Sequence, residues 1–99
     1  MHITCTPQRR DDRLTLERQG DTLLINGEAL DLSGVPEGAT LPRAAVACDW
    51  LASDIERIAG RLHLTIILPH GPAAPQETLF PAPIDVDADG PIALPAWEA

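Results

Sequence analysis

The chain has 99 residues, 44% of them apolar, and a formal charge of −8 from fifteen acids against seven bases. That length fits one domain and excludes two. The acidic balance argues against nucleic acid and anionic membrane surfaces, because phosphate neutralisation needs a basic surface. No apolar run approaches the roughly 20 residues a membrane helix requires. The start lacks the apolar segment of a secretory signal, so synthesis and residence in the cytoplasm are expected. Cys5 and Cys48 usually stay reduced in that setting, and a disulfide between them requires that the fold bring them close. Phe80, Trp50 and Trp97 are the only aromatics among Phe, Trp and Tyr, so the core is expected to be aliphatic.

Residues 2–6 alternate around Ile3 and Cys5, and residues 7–12 read as a polar connector. Residues 13–18 alternate polar and apolar as a half-buried strand does. Strands 22–25 and 28–32 flank Asn26-Gly27, the strongest short hairpin signal, since both residues tolerate positive φ. Residues 33–43, with two glycines and two prolines, form a loop. The stretch 44–58 has two readings. Ser53 and Glu56 have the spacing of a capping box, which suits a helix. Strands at 45–51 and 54–58 are the other reading, favoured because Ala59-Gly60 and the β-rich run 61–68 complete a hairpin. A short helix near 44–52 is the competitor. Residues 71–76 read as a loop, and 78–80 and 84–86 as edge strands among prolines. The fold expected is therefore mainly β, a small antiparallel sandwich or partly open barrel with hairpins. It is a single domain, 1–99, with an extended proline-rich C-terminal tail from about 91. So small a core would gain buried area from a homo-oligomer.

Few constellations carry chemistry. Asp85, Asp87 and Asp89 followed by Gly90 match the first half of a calcium loop, whose alternate oxygens wrap the ion. The twelfth position, which needs a bidentate Glu, is Ala96, so a strand with an acidic face is the competing reading. The histidines are His2, His63 and His70; His63 points away from Leu62 and Leu64, and His70 follows the strand end. With Cys48 and Asp49 they could supply zinc-type ligands, but the spacing matches no recurring metal motif, so surface or partly buried structural histidines are the reading. A nucleophile pair of Cys48 with His63 would need a lowered thiol pKa and an orienting third group, and nothing local supplies either. No phosphate loop, nucleophile elbow or Cys-x-x-Cys occurs. Trp97 in the tail and Trp50 are the candidate partner-binding residues, since tryptophan is enriched at interface hot spots. Docking onto its own domain is the alternative for Trp97.

Several segments resemble a family of small prophage-encoded proteins, often near tail genes. They are Pro-Gln-Arg-Arg-Asp-Asp at 7–12, Ile-Asn-Gly-Glu-Ala-Leu at 25–30 and Pro-Glu-Gly-Ala-Thr-Leu-Pro at 36–42. Ile-Glu-Arg-Ile at 55–58, Leu-His-Leu-Thr at 62–65 and Leu-Pro-His-Gly at 68–71 extend the match along most of the chain. Where this chain has Ala59 before Gly60, the family more often has Asn or Asp. The resemblance implies no catalytic residues. It implies a phage or prophage origin and a setting in the tail or its assembly. The function expected is a non-enzymatic accessory protein acting through protein contacts with tail components, cytoplasmic in the bacterial host or virion-associated. The alternative is a small cation- or ligand-binding module using 85–89, with calcium as the ion and no other cofactor.

Overall fold

The computed structural model describes residues 1–98. Among them are nine strands, one helical turn and one 3-10 turn. The strands are β1 (His2–Arg9), β2 (Leu16–Gln19), β3 (Thr22–Ile25), β4 (Glu28–Asp31), β5 (Thr40–Leu41), β6 (Ile55–Ile58), β7 (Arg61–His70), β8 (Ile84–Asp85) and β9 (Gly90–Ile92). One sheet has the order β5-β6-β7-β1-β8 and the other β4-β3-β2-β9. The protein is thus mainly β, with two open sheets rather than a closed barrel.

Period-two alternation builds the core. Along β7, Leu62, Leu64, Ile66 and Leu68 are buried, while His63, Thr65 and Ile67 face the other way. Ile3 and Cys5 of β1 join them, and Leu16, Leu23 and Ile25 of the second sheet, with Leu32 just past the end of β4, share the same core. Full burial of each such aliphatic side chain contributes about 2 kcal/mol. Arg57 of β6 ties the sheets together. Its Nε donates to Val35 O at 2.6 Å, and its Nη2 donates to Leu32 O at 3.3 Å and to Asp21 Oδ2 at 3.1 Å.

The central pairing is parallel. β1 and β7 run side by side in register from His2↔His63 to Arg9↔His70, whereas every other strand pair is antiparallel. Pro7 and Pro69 are tolerated within these strands because β8 reaches only His2 and Ile3 of β1, and β6 reaches only Arg61–His63 of β7. Their missing N–H groups leave no ladder bond unmade.

Several segments differ from the sequence reading. Residues 7–9, expected in a polar connector, continue β1 because their backbone pairs with residues 68–70 of β7, and Thr40–Leu41, expected in a loop, form β5 against Glu56 and Ile55. Residues 44–52 form neither the strand nor the helix. A 3-10 turn covers Arg43–Ala45, and extended chain then meets β7 at the single bridge Leu51↔Ile66. Ala52 N donates to Thr65 O at 2.9 Å and Ile67 N to Trp50 O at 2.8 Å, so this stretch extends the line of β6 along β7. The break between the two falls at Ser53, whose Oγ accepts from Thr65 N at 2.8 Å. That bond engages the hydroxyl that a helix cap would have used, and Glu56 lies in β6. Residues 78–80 are not a strand either. The helical turn α1 (Gln76–Leu79) follows Pro75, and its Thr78 is buried with the hydroxyl donating to Ala96 O. Finally, β2 starts at Leu16 rather than at 13, because Asn26 holds the preceding chain: its Oδ1 accepts from Thr15 N at 2.7 Å. The tail beyond Gly90 pairs through β9 with β2, as Leu16↔Ile92 and Arg18↔Gly90.

Candidate functional site

β1 and β7 define two ends of the molecule. Where these strands finish, the chain gathers both tryptophans around one loop. The Arg10 guanidinium lies over the Trp50 ring, 4.2 Å from its centroid, and that of Arg13 lies over Trp97 at 3.7 Å. Trp97 Nε1 donates to Arg10 O at 2.9 Å, and Gly71 N donates to Trp97 O at 2.8 Å. Gly71 is the seat of the indole: a Cβ there would lie 2.6 Å from the ring. Trp97 is therefore engaged by its own chain on several sides.

Trp50 is half-buried and walls a groove. The groove has a volume of about 260 Å³ and runs between β4 and residues 47–50, with Ile25, Leu30 and Cys48 in its lining. It is smaller than the roughly 300–1,000 Å³ of pockets that enclose drug-sized ligands, and suits one or two side chains. Beside it, β4 is the outermost strand of its sheet. Its register with β3 pairs Ile25 with Glu28 across the two-residue turn, so the backbone groups of Glu28 and Leu30 bond inward. Those of Ala29 and Asp31 project from the free edge. An acidic set lines this edge: Glu28 and Asp49 border the groove, and Asp31 is exposed.

At the other end, Asp85, Asp87 and Asp89 do not converge on a point. Asp85 Oδ1 is 2.8 Å from His2 Nδ1 and 2.7 Å from Arg61 Nη1, and Asp87 Oδ1 is 2.6 Å from Arg61 Nη2. Asp89 Oδ1 accepts from Gly20 N at 2.9 Å and lies 3.5 Å from Arg18 Nη1. The hydrogen bond from His2, with the Arg61 guanidinium beside it, holds the Asp85 carboxyl below its ordinary pKa. No group of three or more His, Cys, Asp or Glu side chains among the described residues is disposed to hold an ion.

The cysteines are both free. Cys5 is buried, which pushes its thiol pKa up and keeps it protonated. Cys48 lines the groove, whereas His63 stacks on His2, with ring centroids 5.1 Å apart. The cysteine and His63 share no hydrogen bond. Sequence reasoning singled out Trp50 but missed the edge beside it. The Asn26-Gly27 turn was the available signal, since a hairpin whose second strand is followed by a loop leaves that strand at an edge.

Fold and site together define a two-sheet β protein with an open acidic edge beside a tryptophan-walled groove. Compared with protein-family models, curated proteins and solved structures, the chain matches none. No helix among the described residues is long and apolar enough to cross a membrane.

Proposed function

We propose that the protein is non-enzymatic and works by protein contact, taking an extended segment of a partner as an added strand along β4. The observation that carries this reading is the pair of outward backbone positions, Ala29 and Asp31, next to the Trp50 groove. Main-chain hydrogen bonds would supply affinity, and the groove would select a side chain. The acids at Glu28, Asp31 and Asp49 favour a partner segment that carries basic residues. They disfavour a second copy of the same edge, which would set like charges opposite one another. The setting we propose is phage tail structure or assembly, as the family resemblance implies. Calcium at 85–89 has less to support it, since an ion there would displace Arg61 from Asp85 and Asp87.

Ala29→Pro is the decisive variant. The Ala29 N–H points away from β3, so proline there removes an outward donor and leaves the β3–β4 ladder intact. Particles and lysate from an induced lysogen should yield the protein with a tail component by affinity capture and quantitative mass spectrometry. That component should be lost with Ala29→Pro and reduced with Trp50→Ala. Recovery with neither particles nor tail components, or capture unchanged by both substitutions, would overturn the reading.

A further inference from the structure

The end of the molecule away from the tryptophans carries an arrangement that strand contact does not use. Register places four ionisable side chains in one row across four strands. Glu56 of β6 is opposite His63 of β7, His63 is beside His2 of β1, and His2 is opposite Asp85 of β8. The row lies on the face away from the core, because the alternate neighbours Ile3, Ile55, Leu62 and Leu64 are buried. It borders an open hollow of about 500 Å³ that also includes Thr4 and Thr65.

The two imidazoles differ in what surrounds them. His2 Nδ1 is 2.8 Å from Asp85 Oδ1. A carboxylate only accepts, so Nδ1 is the protonated nitrogen and the lone pair of neutral His2 sits on Nε2. The second imidazole, His63, is tilted 41° to the first with centroids 5.1 Å apart. An imidazole whose far nitrogen is oriented by a carboxylate is the usual support of a metal-ligating histidine. A charge of −8 on the chain also raises the local concentration of cations.

We propose that His2 and His63 form a two-imidazole site for a borderline divalent cation of the Zn²⁺ or Ni²⁺ kind, with Asp85 fixing the ring of His2. Imidazole nitrogen suits such ions, whereas calcium takes oxygen ligands. Two protein ligands leave the remaining positions to water, so the ion exchanges freely and is not a closed structural centre. The role of Asp85 is thereby different from the one its spacing suggested: it orients a ligand instead of being one. Thr4 and Thr65, on the same face, border the space in which that water would sit.

Isothermal titration of the folded chain with Zn²⁺ and, separately, Ni²⁺ tests this, with Ca²⁺ as the contrasting ion. One saturable site is expected for the first two and none for Ca²⁺. His63→Ala should abolish it without changing the far-ultraviolet circular dichroism, because the side chain lies on the solvent face. Asp85→Ala should weaken it by about tenfold. Cys48→Ser and His70→Ala, which remove the competing thiol and the remaining imidazole, should leave it unchanged. Nitrogen chemical shifts of the His2 ring should move on Ni²⁺ or Zn²⁺ addition, at Nε2 more than at Nδ1. No saturable binding to the unaltered chain, or equal binding by His63→Ala, would overturn the proposal.

Discussion

Of the three two-residue hairpins among the described residues, those at Asn26-Gly27 and Ala59-Gly60 share a backbone and differ in what holds it. Asn26 and Gly27 have φ of 51° and 82°, and Ala59 and Gly60 have φ of 52° and 77°. Both are two-residue turns with positive φ at each position, the type whose twist matches paired strands. Asparagine enters that region readily, and its side chain also binds the chain nearby. Asn26 Oδ1 accepts from Thr15 N, and Nδ2 donates to Arg13 O at 3.2 Å. Ala59 has neither advantage. Its turn is supported from outside, by the Glu37 carboxylate accepting from Gly60 N at 2.8 Å and by Arg57, one residue before the hairpin's last strand position. A turn can be chosen by its own residues or imposed by what its strands are bonded to, and both routes occur in this chain.

Breaking the external support should have the largest effect. Arg57 is 14% exposed at its side chain, so Arg57→Ala removes charge-assisted bonds to two carbonyls and to Asp21. A loss of about 3 kcal/mol is expected from urea denaturation. A loss no larger than that of a surface substitution would mean that the hairpin stands without its anchor. Asn26→Ala should be next, at about 2 kcal/mol, combining a strained alanine with unmade bonds to Arg13 and Thr15. The smallest effect has the opposite sign. Ala59→Asn should stabilise the protein by about 1 kcal/mol, read as a raised melting temperature, because it relieves the penalty for an L side chain in this region. No gain there would show that the strands dictate the turn so strongly that its own residue is immaterial.

The parts legible in the sequence are those coded by near neighbours. Asn26-Gly27 marked its hairpin, and the alternation of 61–68 placed His63 opposite the buried leucines. The reading of 78–80 as a strand followed β-propensity. It failed because Thr78 finds its partner in Ala96, eighteen residues on, which no local pattern encodes. Residues 44–52 were ambiguous for a related reason: their two bonds to β7 are made by the backbone, whatever the side chains. The site was legible in pieces. Trp50 was marked by composition, and the Asn26-Gly27 hairpin carried an unused signal for the β4 edge, but the groove between them needed residues 47–50 to be placed. The histidines were visible as zinc-type ligands, but the pairing of His2 with His63 was not, since alternation gives a side chain's face and not the identity of the neighbouring strand.

The parallel pairing of β1 with β7 has a consequence for how the chain is made. His2 and His63 are register partners, so β1 leaves the ribosome long before its partner exists. At about 5–20 residues per second the interval is several seconds, far longer than the microseconds a hairpin takes to form. During that time the backbone of β1 has no β7 to pair with, while the β2–β4 meander is already closing. β1 is thus among the last strands to gain its sheet partner, and nascent chains of this protein should depend on chaperone protection of His2–Arg9 until His70 has emerged.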